Sequence, residues 1–288
     1  MSKQKVGNWL IFILLSIIWG SSFILMKRGA ESLSGWQIGA VRIFSAGLVF
    51  FPFAVYHIFK IPAKKLPFVI LSGALGNLFP AFLFAIAIER IDSSMEGILN
   101  SLTPLFVIVI GILFFKDKIQ SKKIAGVLVG LVGLVILSLS KSSLTGSDFG
   151  YTLLILLATV FYGLNVNIVT HYLKDVNPMQ MATVSLAIMA IPAGFVTWQQ
   201  NVFSIAQYDE AARWPIAAAV VLGVVGSAIA TAFFYLLIKR AGGLFAALVT
   251  YGIPVISIIW GVLDGENVTP IQVGCLGIIL SGVYLANK

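Results

Sequence analysis

Charged residues are scarce in this chain of 288 residues, where they make up 10% of the total and hydrophobic residues make up 59%. Soluble domains carry about 25% charged residues, because a folded surface has to contact water. The mean hydropathy of +1.01 therefore predicts an integral membrane protein that contacts the lipid bilayer. The net charge of +8 could indicate nucleic-acid binding. However, Lys and Arg occur in short clusters between apolar runs, as in membrane loops, so we expect no nucleic-acid partner.

Cysteine and histidine are also rare, which excludes most catalytic chemistry. The single cysteine, Cys275, cannot form a disulfide or a paired-thiol metal site within the chain. The two histidines, His57 and His171, do not form an HExxH pattern, and no GxSxG, P-loop or GxGxxG motif is present. We therefore expect no enzymatic activity, no metal site and no cofactor.

Long apolar runs divide the chain into candidate transmembrane helices, since a spanning helix needs about 20 mostly apolar residues. Ten such runs are found, near residues 8–26, 36–58, 66–88, 93–115, 122–140, 149–171, 178–198, 214–238, 243–263 and 268–287. The predicted fold is all-α, with short connections between the spans. Most Lys and Arg residues fall in the N-terminal tail and in the loops after even-numbered spans, so the positive-inside rule predicts that both termini are cytoplasmic.

The two halves of the chain resemble each other. A shift of 150 residues superimposes two glycines and a proline on identical residues: Gly73 on Gly223, Gly76 on Gly226, and Pro104 on Pro254. Such coincidences at one shift are harder to obtain by chance than matches between apolar residues. We therefore predict two five-helix repeats, residues 1–141 and 142–288, within one membrane domain. Because each repeat has an odd number of spans, the second is inverted, as in many secondary transporters.

Several motifs together resemble the drug/metabolite transporter superfamily of EamA type, across nearly the whole chain. They are WGSSF in the first span, the two matched prolines, and the segments KDKIQSKKIAGVLVGLVGLVIL and GENVTPIQVGCLGIILSGVYL. The family usually has a Glu in these two segments, which the second keeps as Glu266 and the first replaces by Asp117. The resemblance implies an inner-membrane metabolite carrier, often an exporter, with a central cavity formed mainly by spans 1, 3, 4, 6, 8 and 9.

Polar residues inside the predicted spans indicate the candidate site. Glu96, Asn100 and Thr103 lie on one helix face, with spacings i, i+4 and i+7, and this face is poorly suited to lipid. Pro104 and Pro254 each remove a backbone hydrogen bond, and helices interrupted at corresponding places are typical of transporter binding sites. The candidate cavity residues are Trp19, Ser22, Asn77, Glu96, Asn100, Tyr162, Asn165, Tyr235 and Tyr251.

Some of these polar residues also have a structural interpretation. Glu96 could bind a proton or an amine, or it could form an ion pair with Arg42 of the second span. Hydroxyl and amide groups could simply join neighbouring helices. The small-residue face of Gly126, Gly130 and Gly133 favours close helix packing, and it could also serve a dimer contact, so both a monomer and a homodimer remain open.

The predicted function is secondary active transport of small metabolites, such as amino acids or related amines, by export or exchange. Transport would proceed by alternating access between the two repeats. Without a nucleotide-binding motif it would depend on gradients or exchange, and protons or another ion are candidate coupling partners. A channel, which needs a continuous polar path or rings of charge, and a non-transporting scaffold or receptor are the alternatives.

Overall fold

The computed structural model describes residues 3–91, 93–139, 149–263 and 270–286. Within these ranges the secondary structure is helical and no strand is formed. The α-helices are α1 (Lys3–Gly29), α2 (Gly35–His57), α3 (Leu66–Gly73), α4 (Phe79–Ala87), α5 (Ser93–Asn100), α6 (Thr103–Phe115), α7 (Ser121–Leu139), α8 (Phe149–Tyr172), α9 (Pro178–Gln199), α10 (Val202–Tyr208), α11 (Glu210–Val221), α12 (Ala230–Ala241), α13 (Gly243–Ala247), α14 (Val249–Leu263) and α15 (Pro270–Ala286).

Two π-helical stretches interrupt the regular helices. The first π segment (Ala74–Leu78) connects α3 to α4, and the second π segment (Leu222–Ile229) connects α11 to α12. The shift of 150 residues that relates the two halves places the first segment within the second. π-Helical turns are rare and are frequently found at functional sites.

Several of the helical stretches are long and apolar enough to cross a bilayer. Seven meet this description among the described residues: Lys3–Gly29, Gly35–Lys60, Ala63–Ala87, Phe149–Tyr172, Pro178–Gln199, Glu210–Ala241 and Gly243–Leu263. Large apolar side chains such as Phe59, Phe114 and Ile191 are exposed, whereas many Ser, Thr and Asn side chains are buried. This distribution suits a surface in lipid, and the chain is an all-α integral membrane protein.

The run predicted as one span at 93–115 contains a break. α5 ends at Asn100, residues 101 and 102 form a turn, and α6 begins at Thr103 with Pro104 in its first turn. Proline is tolerated there, because the first N–H groups of a helix have no intrahelical acceptor. In the second half the turn lies at Leu248, between α13 and α14, and Pro254 follows inside α14.

The helix pairs with the most extensive contacts among the described residues each join the first half of the chain to the second. α2 packs along α9, α7 along α15, α1 along α14, and α6 along α8. Glycine allows the α7–α15 approach, because a Cβ on Gly282 would lie 2.5 Å from the backbone nitrogen of Gly130 and 2.6 Å from the carbonyl oxygen of Gly126. The glycine face of α7 is therefore used for packing within the chain.

Candidate functional site

A cavity lies between helices of both halves. Its walls come mainly from α1, α8, α12 and the two π segments. The centre of a water-sized sphere can occupy about 60 Å³ within it. Because a single water needs about 10–15 Å³ by this measure, the cavity has room for a few waters or for one small solute.

Most of the candidate residues lie around this cavity. Seven of the nine line it: Trp19, Ser22, Asn77, Asn100, Tyr162, Asn165 and Tyr235. Arg42 and the hydroxyl side chains of Thr103, Ser227, Thr231 and Thr250 also line it. From sequence, Arg42 is a candidate for a structural ion pair with Glu96 or for coupling. Its position beside the cavity depends on packing between α2 and the second π segment.

Tyr251 lies elsewhere, contrary to the prediction. Its side chain is fully buried, and its hydroxyl donates a hydrogen bond to the carbonyl oxygen of Val127 in α7 at 2.9 Å. Gly130 makes room for the ring, since a Cβ there would lie less than 3.0 Å from it. The preceding residue, Thr250, lines the cavity instead, because consecutive residues of an α-helix point about 100° apart.

Glu96 is fully buried but is not among the residues that line the cavity. Neither carboxylate oxygen has a hydrogen-bond partner among the described residues. Arg42 instead donates from Nε to Ser227 Oγ at 2.8 Å and from Nη1 to Met26 Sδ at 3.8 Å. The direct ion pair between Glu96 and Arg42 is therefore not formed in this structure.

The two π segments carry polar contacts on the cavity wall. The first contributes Asn77, whose Oδ1 accepts a hydrogen bond from the hydroxyl of Thr231 at 2.7 Å. The second presents the carbonyl oxygen of Gly226, which accepts from the indole N–H of Trp19 at 2.9 Å. The Nδ2 group of Asn77 is buried without an acceptor in the part of the chain that is described. Such a donor is costly unless water or a ligand satisfies it.

A buried network holds two further cavity residues in place. The hydroxyl of Ser72 donates to Asn165 Oδ1 at 2.6 Å and lies 2.8 Å from the hydroxyl of Tyr235. Since a hydroxyl has one proton, Ser72 accepts its second hydrogen bond from Tyr235. Gly76 allows Asn165 to approach, because a Cβ there would lie less than 3.0 Å from its amide. Ser72 is missed by sequence reasoning, since one serine in an apolar run carries no distinguishing signal.

Aromatic rings form the apolar part of the cavity. Phe23 contacts Phe84 edge-to-face at 5.8 Å between ring centroids, and Phe84 stacks on Tyr162 at 6.0 Å. Trp19 packs on Phe234 at 5.2 Å. All five rings line the cavity. A few placed polar groups among aromatic side chains are typical of a small-molecule site.

The backbone carbonyls four residues before the two prolines both accept hydrogen bonds from hydroxyl groups. Pro104 cannot donate to the carbonyl of Asn100, and this oxygen accepts from Thr103 Oγ1 at 2.7 Å. Pro254 cannot donate to the carbonyl of Thr250, and that oxygen accepts from Ser101 Oγ at 2.7 Å. The second bond joins the turn before α6 to α14, so Ser101 connects the interrupted helices of the two halves.

Replacing Ser101 by alanine is expected to destabilise the protein by about 1–3 kcal/mol, because the buried carbonyl of Thr250 loses its partner. Thermal unfolding of the detergent-purified variant measures this effect. Ser281→Ala is a suitable control, since Ser281 is exposed and donates only to the carbonyl of Gly277 within its own helix. Equal melting temperatures for the Ser101 variant and the wild type would contradict the contact.

A helical membrane protein with a central cavity of amide, hydroxyl and aromatic groups has the architecture of a small-molecule transporter. Comparison with known proteins identifies the family, since the EamA-like transporter family matches the chain twice, over residues 7–139 and 150–288. The chain belongs to the EamA-like transporter family. Members of this family are transporters and not enzymes.

The relatives with curated names have low sequence identity to this chain, and two of them match it over nearly its whole length. An "Uncharacterized transporter" of Archaeoglobus fulgidus is 24% identical over 282 residues, covering 96% of this chain and 98% of that protein. The "Uncharacterized inner membrane transporter YedA" of Escherichia coli K12 is 26% identical, covering 94% of this chain and 87% of its own. A "Probable amino-acid metabolite efflux pump" of Salmonella typhimurium is 25% identical, but covers 49% of this chain and 47% of the pump.

A solved structure, described as "Crystal structure of protein", shares the fold. It superimposes with a TM-score of 0.72 and covers 98% of this chain and 96% of its own length. At 16% sequence identity this likeness shows the fold alone.

Proposed function

We propose that the chain is a secondary active transporter that exports or exchanges small metabolites, such as amino acids or related amines, across the inner membrane. Transport proceeds by alternating access between two inverted five-helix repeats, residues 1–141 and 142–288, which together form ten spans with both termini cytoplasmic. The observation that carries this proposal is the central cavity, because its walls combine aromatic and polar side chains from both halves.

Three observations support the two-repeat arrangement. The family matches each half separately. The two π segments occupy positions that the shift of 150 residues superimposes. α1 corresponds to α8 in the other half, and α6 corresponds to α14, so the packing of α1 on α14 is equivalent to that of α8 on α6. α2 packs on its own counterpart α9, and α7 packs on its counterpart α15. An approximate two-fold relation between the halves accounts for all of these pairs, and it provides two similar conformations open to opposite sides.

The cavity also supports a small, amphipathic solute. Its space of about 60 Å³ is closely bounded by aromatic rings, with the amides of Asn77, Asn100 and Asn165 beside them. The names of two relatives agree with this proposal: one is called an amino-acid metabolite efflux pump and another an inner membrane transporter.

Counterflow in proteoliposomes tests the proposal. Vesicles containing the purified protein are preloaded with unlabelled amino acids and amines, and a trace of one labelled compound is added outside. In vesicles that contain a carrier, the label accumulates transiently above the outside concentration, because exchange is faster than net flow. The initial rate of this accumulation saturates as the concentration of the solute increases. Flux without saturable counterflow would indicate a channel, and no flux from folded protein would favour a scaffold or receptor.

A further inference from the structure

Arg42 is the feature of the cavity that discriminates between the candidate solutes. We infer that transported solutes carry a carboxylate group that binds Arg42, and that this binding is linked to the uptake of a proton by Glu96. The inference rests on the proposed transport function and adds to it the substrate class and the coupling ion.

The guanidinium group of Arg42 is available to an anion. Arg42 lines the cavity and is only 8% exposed. Its Nε donates to Ser227, its Nη1 contacts only the weak acceptor Sδ of Met26, and its Nη2 has no acceptor among the described residues. The planar guanidinium group matches a carboxylate in a two-bond geometry, and a carboxylate is a far stronger acceptor than a thioether.

The charge balance of the cavity favours an anionic group over a simple amine. Arg42 is the only charged side chain among the described residues that line it, and no Asp or Glu is present there. A protonated amine without a carboxylate would face this cation with no compensating partner. A zwitterionic amino acid can place its carboxylate on Arg42 and its ammonium group near the amide oxygens and aromatic faces.

Glu96 can take up the proton because of its surroundings. Its side chain is fully buried and both carboxylate oxygens lack hydrogen-bond partners among the described residues. An ionised carboxylate in this position is far more costly than the neutral acid. α5 packs against α1, α7, α8 and α14. The charged side chain that acts on Glu96 is Arg42 of α2, and the neighbouring titratable hydroxyl is the neutral phenol of Tyr162 in α8.

Arg42 connects the two binding events. When no solute is bound, the positive charge of Arg42 lowers the cost of ionising Glu96. A solute carboxylate on Arg42 neutralises that charge, so Glu96 takes up a proton when the solute binds and releases it when the solute leaves. Because linkage is reciprocal, protonation of Glu96 also strengthens carboxylate binding, and affinity increases as the pH falls.

Calorimetric titration of the detergent-purified protein tests binding without requiring transport. The probes are two matched sets: L-alanine, ethylamine and propionate, and L-phenylalanine, phenethylamine and 3-phenylpropionate. We expect binding of the amino acids or acids and none of the amines. Arg42→Gln should weaken carboxylate binding by about 100-fold or more. Arg42→Lys should restore part of it, since lysine keeps the charge but loses the planar donors.

Titration in buffers with different ionisation heats measures protons taken up for each bound solute. We expect close to one in the wild type at a pH where Glu96 is ionised, and close to none in Glu96→Gln. Matched controls are Glu31→Gln and Arg213→Gln, which neutralise exposed partners of two surface ion pairs and should leave both measurements unchanged.

Binding of the amines alone, or of no probe, would overturn the carboxylate assignment, as would unaltered affinity in Arg42→Gln. Proton uptake that persists in Glu96→Gln would overturn the coupling. Counterflow in proteoliposomes, measured alongside the calorimetry, distinguishes failure of the carboxylate assignment from failure of the transport function. Carboxylate binding that depends on Arg42, without any counterflow, would reject the transport function and leave the binding assignment standing.

Discussion

Substitution of Gly223 by valine is expected to prevent stable folding. Gly223 lies in the second π segment where it packs on α2, and a Cβ there would lie less than 3.0 Å from the carbonyl oxygen of Arg42 and from Ser45 Oγ. The carbonyl belongs to the backbone and cannot turn aside as a flexible side chain could. Overpacking usually costs about 1–3 kcal/mol, and the backbone clash places this variant at about 3 kcal/mol or more.

Size-exclusion chromatography of a fluorescent fusion, combined with a thermal melt, measures the folded fraction of this variant. Gly274→Val provides the matched control, because Gly274 is an exposed helical glycine with no atom within 4 Å of its Cβ position. A monodisperse Gly223→Val protein with wild-type melting temperature would show that α2 and the second π segment are further apart than described.

Combined replacement of Asn100 by leucine and Tyr162 by phenylalanine is expected to reduce counterflow by about 100-fold while the protein remains folded. Both side chains line the cavity, and both substitutions remove polar atoms with little change in volume. A hydrogen bond lost to an enclosed solute leaves its polar atom unpaired, at a cost of about 1–3 kcal/mol. Two such losses together correspond to a factor of this size.

Initial rates of counterflow, normalised to the reconstituted folded protein, measure the effect. Tyr208→Phe is a suitable control, since it removes the same phenolic hydroxyl from a tyrosine that is 79% exposed. Undiminished counterflow in the double variant would exclude Asn100 and Tyr162 from the solute site.

The helices and their approximate positions could be predicted from sequence because apolar runs of membrane length are a strong signal. The run at 149–171 corresponds to α8, Phe149–Tyr172, and the run at 178–198 to α9, Pro178–Gln199. The break at residues 101 and 102 is less accessible from sequence. A proline is compatible either with a kink inside one helix or with the first turn of a new one, and packing around Ser101 decides between them.

The residues that line the cavity could be predicted where a polar side chain inside a span has to avoid lipid. Asn100, Asn165 and Trp19 are of this kind. Tyr251 is large and amphipathic, which suggests a cavity residue, but its position depends on the absence of a side chain at Gly130 in another helix. Arg42 illustrates the opposite case, since its place in the cavity results from the close contact of α2 with Gly223, which no local pattern encodes.

The two π segments change the rotation of the helices that follow them. Each wide turn accommodates more residues than an α-turn, and one residue corresponds to about 100° of rotation in the helix that follows. Thr231 and Tyr235 lie directly after such a turn and point inward. A helical wheel drawn through residues 210–241 at a single pitch would therefore assign faces incorrectly beyond the turn. Deleting one residue within the turn would rotate the helix that follows and direct its inward side chains toward lipid. Duplicating one residue would rotate that helix in the opposite sense.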